Sequence, residues 1–79
     1  MNEKLLDEIL LKYSKKKDVS IPDNINLIEY LSIDSVDAMR ILVDIEDQFG
    51  IELDIKDINM SIFESKSNLK KCIRNRILF

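Results

Sequence analysis

The stretch Asp34-Ser35-Val36-Asp37 sets a hydroxyl between two carboxylates at what reads as the start of a helix. Asp34 is a good N-cap, and Asp37, three positions on, makes a carboxylate variant of the capping box. Taken alone the tetrapeptide reads as capping, because Ser and Asp are among the commonest residues at helix starts. The chemistry such a hydroxyl suits is nevertheless specific. It is exposed, and a phosphodiester formed on it would sit against backbone N–H groups and the positive end of the helix dipole, worth ~0.3–1 kcal/mol at an exposed site. The chain has no histidine to activate the hydroxyl, so the modification would need another enzyme.

The other reactive candidates are few. Cys72 is the only cysteine, which excludes an internal disulfide, and without histidine there is no Cys/His cluster for a structural metal. Cys72 could act as a reactive thiol, but it falls on an apolar helical stripe, where an inert core thiol is expected. Gly50 is the only glycine, so no Gly-rich phosphate loop can be built. Self-contained catalysis is not expected.

The elements that must position Ser35 follow from periodicity. Leu5, Leu6, Ile9, Leu10 and Tyr13 recur at three- and four-residue spacing, which predicts an amphipathic helix over about residues 3–16. From Asp18 to Asp34 there is no helical period, and Ser20-Ile21-Pro22-Asp23-Asn24 is turn chemistry, yet the segment stays apolar: a long loop pinned to a core. Loops of this length tend to be functional. A second helix runs from Ser35 to Phe49, stopped by Gly50. Asp54 caps a short third helix through Ile58, and Ser65 caps a fourth, with Leu69, Cys72, Ile73 and Ile77 on one stripe and Lys70, Lys71, Arg74 and Arg76 largely off it on a solvated basic face.

The 35–49 helix carries two apolar stripes. At about 100° per residue, Ala38, Ile41, Leu42, Ile45 and Phe49 share one arc, the core face. Val36, Met39 and Val43 form a second, narrower stripe flanked by Arg40 and Asp47. These three could widen the buried face or be scattered surface apolars, which are normal. They also fit an exposed strip rimmed by charge, a surface for transient partners to which methionine adapts well.

With 46% hydrophobic and 34% charged residues, one Gly and one Pro, the 79-residue chain reads as a single all-α domain spanning 1–79. No apolar run approaches a membrane span and the start lacks a signal peptide, so no membrane insertion and a cytoplasmic monomer are expected. The net charge of −3 is uneven: residues 23–57 carry ten acids against two bases. That field would repel nucleic acid and steer basic partner surfaces toward the middle of the chain.

Residues 31–53 closely resemble the phosphopantetheine attachment region of acyl and peptidyl carrier proteins. The matching residues are Asp34-Ser35-Val36, Glu46-Asp47-Gln48-Phe49 and Ile51-Glu52-Leu53, with Phe63-Glu64-Ser65 matching the segment before the last helix of stand-alone carriers. The resemblance implies a four-helix bundle with a long loop between its first two helices and a short third helix. It implies that Ser35 takes 4'-phosphopantetheine from coenzyme A through a separate, magnesium-dependent phosphopantetheinyl transferase. The arm's thiol then holds an acyl or aminoacyl group as a thioester, charged by a loading enzyme and passed to a downstream acceptor. Asp34 matches the acidic residue beside the attachment serine. Val36 and Val43 match apolar docking positions, with Met39 on the same strip, and Asp37, Glu46 and Asp47 match acidic docking positions.

Two departures stand out. Ser32 replaces the family's usual Gly, which bears on loop shape and touches no chemistry. Arg40 occupies a position often acidic in fatty-acid carriers, which points away from fatty-acid synthesis partners. The segment between Phe49 and the last helix is a few residues longer than in typical fatty-acid carriers. It is closer to carriers of polyketide, nonribosomal peptide and D-alanyl systems. The D-alanyl carriers typically have Trp where this chain has Phe63, and a Pro absent from Ser65-Lys66-Ser67. A stand-alone carrier of a specialised pathway is the expectation, with a D-alanyl carrier or a fatty-acid carrier as alternatives. An unmodified helical adaptor is the competing class.

Overall fold

The structure, a computed structural model, describes residues 2–53 and 60–77. Its elements are helix α1 (Glu3–Tyr13), helix α2 (Leu27–Leu31), helix α3 (Ser35–Phe49), a 3-10 turn (Met60–Phe63) and helix α4 (Lys66–Ile77), with no strand among the described residues. The all-α bundle expected from the sequence is present. The predicted short helix from Asp54 through Ile58 lies outside the described residues.

Helix α1 starts where Asn2 accepts from the Leu5 amide at 3.0 Å and buries Leu6, Ile9 and Leu10. It stops at Tyr13, short of the predicted residue 16, because tertiary partners capture the next backbone groups. The Ser14 hydroxyl donates to the Leu31 carbonyl at 3.2 Å and accepts from the Lys16 amide at 2.9 Å, while the Lys15 amide donates to the same Leu31 oxygen at 3.0 Å. These bonds satisfy backbone groups that a longer helix would have used.

The segment expected to be a structureless loop contains α2. Asn26 caps it by accepting from the Glu29 amide at 3.1 Å, and Leu27 and Leu31, four apart, are fully buried. Five residues are too few to show a period, but Asn26 followed three positions later by Glu29 is the signal that marks the start. The helix ends at Ser32, whose φ of 54° is left-handed. Only residues without a Cβ adopt that conformation freely, which is the physical reason a glycine suits this position.

Helix α3 packs against α1, and α4 packs against the 3-10 turn around Phe63, which is 1% exposed. Leu69 and Ile73 complete the core from α4, with Cys72 partly buried against it. The basic face of α4 departs from expectation. Lys71, Arg74 and Arg76 are exposed, but Lys66 is buried, donating to the Ile21 carbonyl at 3.1 Å and pairing with Asp7 at 2.8 Å and Glu3 at 3.2 Å. Lys70 pairs with Asp23 at 2.8 Å and Glu3 at 3.0 Å. Two lysines of the last helix thus tie the first helix and the 14–26 connection together, and only the outer three cations form a solvated face.

Candidate functional site

Ser35 is the first residue of α3 and is exposed. It is held between two anchors. Ile33, 4% exposed, donates its amide to the Ile28 carbonyl at 3.2 Å, and Ala38, 1% exposed, donates to the Asp34 carbonyl at 2.9 Å. The chain therefore enters the helix from a packed loop and turns Ser35 outward.

The capping box is complete. Asp34 Oδ1 accepts from the Asp37 amide at 2.7 Å, and Asp37 Oδ2 accepts from the Asp34 amide at 3.3 Å. The Asp37 amide, and secondarily the nearby Lys15 charge, hold the Asp34 carboxyl below the usual carboxylate range against a partial desolvation that acts the other way. Asp37 is only 9% exposed and faces Lys15 Nζ at 3.9 Å. Its carboxylate is spent on the helix start and on that lysine, which places it inside the junction rather than on the open surface. A phosphate ester on Ser35 would not have the helix end to itself, since Asp34 already occupies the Asp37 amide, and Lys15 is the cation beside it.

Beyond Ser35 the second stripe of α3 is exposed: Val36 by 56%, Met39 by 44% and Val43 by 52%. With Tyr13, Arg40 and Asp44 they line a shallow, mostly apolar groove of about 260 Å³ between α1 and α3. Tyr13 is fixed as its wall by donating its hydroxyl to Asp44 Oδ2 at 2.7 Å, and Lys12 Nζ reaches the same oxygen at 3.2 Å. The Tyr13 hydroxyl first, and Lys12 after it, hold the Asp44 carboxyl below its ordinary pKa. The same bond pushes the Tyr13 phenol up.

Arg40 is exposed at the rim of this groove, and among the described residues no carboxylate pairs with it. Glu46 is half-buried and accepts from the Leu53 amide at 2.9 Å, tying down the chain that leaves α3. Asp47 is exposed. The structure thus gathers Ser35, Asp34, Val36, Met39, Arg40 and Val43 along one edge, and gives Asp37 and Glu46 structural partners. It adds Tyr13, Lys12, Asp44 and Lys15, which sequence reasoning did not assign to the site. Tyr13 ends the apolar stripe of the first helix, but nothing in the spacing of residues pairs it with Asp44.

The helical bundle thus offers an exposed serine hydroxyl at the first turn of a helix, beside an open apolar strip. The chain belongs to the family described as phosphopantetheine attachment site, whose model matches residues 4–71. It is also 34% identical over 50 residues to the acyl carrier protein homolog of Ureaplasma parvum serovar 3 (strain ATCC 700970). That match covers 61% of this chain and 65% of the relative, so it spans less than two thirds of the relative's length. The prosthetic group of the carrier is 4'-phosphopantetheine. An exposed serine hydroxyl on a fixed helix start suits its phosphodiester linkage; Asp34 precedes it in the chain, and Lys15 acts on the carboxylates of Asp34 and Asp37.

Proposed function

We propose that Ser35 is the attachment point of the phosphopantetheine arm and that this protein carries acyl or aminoacyl groups on it as thioesters. The observation that carries the reading is the exposed Ser35 at the first turn of α3, immediately followed by the half-exposed Val36. In the loading reaction the Ser35 oxygen bonds to the phosphorus on the pantetheine side of coenzyme A, and the bond to the adenosine half breaks. Adenosine 3',5'-bisphosphate leaves, and the serine proton passes to a base of the transferase. The chain's own part is to present the hydroxyl and to set Asp34 beside it, while the transferase supplies magnesium and the base.

The partners of this reading are a phosphopantetheinyl transferase, a loading enzyme and an acceptor, which meet the protein at Val36, Met39 and Val43, with Arg40 and Asp47 at the rim. The protein itself is non-catalytic and works in the cytoplasm. Arg40 supports a specialised pathway of the polyketide or nonribosomal peptide type over fatty-acid synthesis, because a positive side chain there mismatches a partner surface built for an acid.

Co-expression with a broad-specificity transferase, followed by intact-mass measurement, tests the assignment. Wild type gains one phosphopantetheine and Ser35→Ala gains none. An unchanged wild-type mass would favour the unmodified adaptor, and an equal gain on Ser35→Ala would move the attachment elsewhere.

A further inference from the structure

A phosphodiester on Ser35 adds a negative charge to a junction that already holds two. Asp34 accepts from the Asp37 amide at 2.7 Å and Asp37 accepts from the Asp34 amide at 3.3 Å, so a carboxylate stands on either side of Ser35 in the chain. The same bonds occupy amides that a helix start would otherwise turn toward an anion. The new charge is left to water or to a cation within reach.

Four lysines cluster at the end of α1, and three of them are engaged. Lys12 Nζ donates to Asp44 at 3.2 Å, Lys16 Nζ lies 4.9 Å from the Tyr30 ring centre, and Lys17 Nζ donates to the Leu11 and Lys12 carbonyls at 2.8 and 3.3 Å. Lys15 is held differently. Its backbone amide is fixed on the Leu31 carbonyl at 3.0 Å, three residues before Asp34. Its side chain is 67% exposed, and its ammonium stands 3.9 Å from Asp37 Oδ2, at the limit of an ion pair. That oxygen is the one that accepts from the Asp34 amide, so the ammonium lies beside the residue that precedes Ser35.

A fixed backbone with a loosely paired, flexible four-carbon stem lets the ammonium swing to a new anion without disturbing the fold. Arg40 is exposed too, but at 3.6 residues per turn it lies about 140° round α3 from Ser35. We propose that Lys15 is the counter-ion of the arm's phosphodiester: once Ser35 is modified, the ammonium leaves Asp37 for the phosphate oxygens and draws the root of the arm toward the end of α1. The inference rests on Ser35 carrying the arm. It gives Lys15 the task of setting the direction in which the arm leaves the protein, and it lowers the repulsion that the modification brings to Asp34 and Asp37.

The test compares the whole protein before and after complete loading from coenzyme A by a broad-specificity transferase, in wild type, Lys15→Met, Lys15→Arg and Lys16→Met. Intact mass is recorded first: no gain on wild type overturns the assignment of Ser35 and this inference with it. With the gain in hand, melting temperatures of the unmodified and modified forms are measured at low salt, together with the phosphorus NMR resonance of the arm. A purely structural contribution of Lys15 is common to both forms and cancels in their difference. Lys15→Met is expected to lower the modified form by about 2–4 °C more than the unmodified one, an effect that about 1 M salt screens away, and to move the phosphorus resonance. Lys15→Arg is expected to keep both readouts near wild type, and Lys16→Met to leave both unchanged. An equal loss in the two forms, a phosphorus resonance that Lys15→Met leaves in place, or the same changes from Lys16→Met would overturn Lys15 as the counter-ion while leaving Ser35 as the attachment point.

Discussion

Tyr13 at the end of α1 donates its hydroxyl to Asp44 in the middle of α3 at 2.7 Å, joining residues 31 positions apart across the rim of the groove. Lys12 Nζ shares the same carboxylate oxygen at 3.2 Å and lies 5.3 Å from the Tyr13 ring centre. This contact both fastens α1 to α3 and holds the ring that walls the strip beside Ser35.

Removing the hydroxyl should loosen that joint. Tyr13→Phe is expected to lower the melting temperature by a few degrees at pH 7. Because the folded pKa of Asp44 is depressed, its contribution is present above the unfolded value of ~3.9 and is lost as pH falls through the lower folded value. Thermal melts at pH 7 and pH 3 check this: the gap between wild type and variant should be clear at pH 7 and shrink at pH 3.

Ser32 holds a left-handed conformation at φ 54° that costs a residue with a Cβ roughly 1–2 kcal/mol. Ser32→Gly is therefore expected to stabilise the fold by about 1 kcal/mol, less than the full strain because glycine gains freedom in the unfolded chain. For a domain of this size that is a rise of ~4–8 °C in melting temperature. A fall would show that the Ser32 side chain matters to the loop in some other way.

Lys66 is the buried cation of α4, with a side chain only 5% exposed, and its partners Asp7 and Glu3 are 35% and 49% exposed. Lys66→Met keeps the volume and removes the charge, leaving the Ile21 carbonyl without its donor. The half-open carboxylates can turn to water, so a loss of about 1–3 kcal/mol is expected, below the 3–5 of a fully buried pair. Burial alone would pull the Lys66 pKa down, but Asp7 and Glu3 outweigh it and the value is raised. Its contribution is thus present below the unfolded value of ~10.4 and lost only as pH rises through the folded one. Urea unfolding at pH 7 and above pH 10 measures both.

Asp34 has two separable parts to play, as cap and as the carboxylate beside the Ser35 hydroxyl proposed to take the arm. Asparagine caps helices as well as aspartate does, and alanine does not. Asp34→Asn is expected to melt close to wild type and Asp34→Ala several degrees lower. Both should be modified more slowly by the transferase if the carboxylate positions the reaction. A normal rate in Asp34→Asn would reduce Asp34 to a cap.

Local chemistry was legible wherever one stretch of chain carries the whole cause. The α3 helix runs from Ser35 to Phe49 as its caps imply, with Gly50 left-handed at φ 65° behind it, and its two stripes separate into a buried and an exposed face. The segment before it was less legible. A five-residue helix such as α2 shows too few turns for periodicity, and only the Asn26 and Glu29 pair marks it.

Charge was the least legible property, because its meaning depends on what folding brings alongside. The acids of the middle segment read as one anionic field. In the fold, Lys12 and Lys15 from the end of the first helical segment reach Asp44 and Asp37, so these two acids of α3 meet cations while Asp47 stays open. The α4 lysines likewise turned inward because Glu3, Asp7 and Asp23 surround them.

The amino-acid sequence by itself determined the helical fold class, the place of Ser35 at the head of a capped helix and the apolar strip that follows it, since caps and periodicity act within a few residues. Tertiary structure alone decided that Tyr13 walls that strip, that Asp37 and Glu46 are occupied, and that Arg40 stands at the rim with no carboxylate partner among the described residues. Those outcomes depend on Coulomb and hydrogen-bond contacts of a few ångströms between residues from 7 to 31 apart in the chain, and only packing sets such distances.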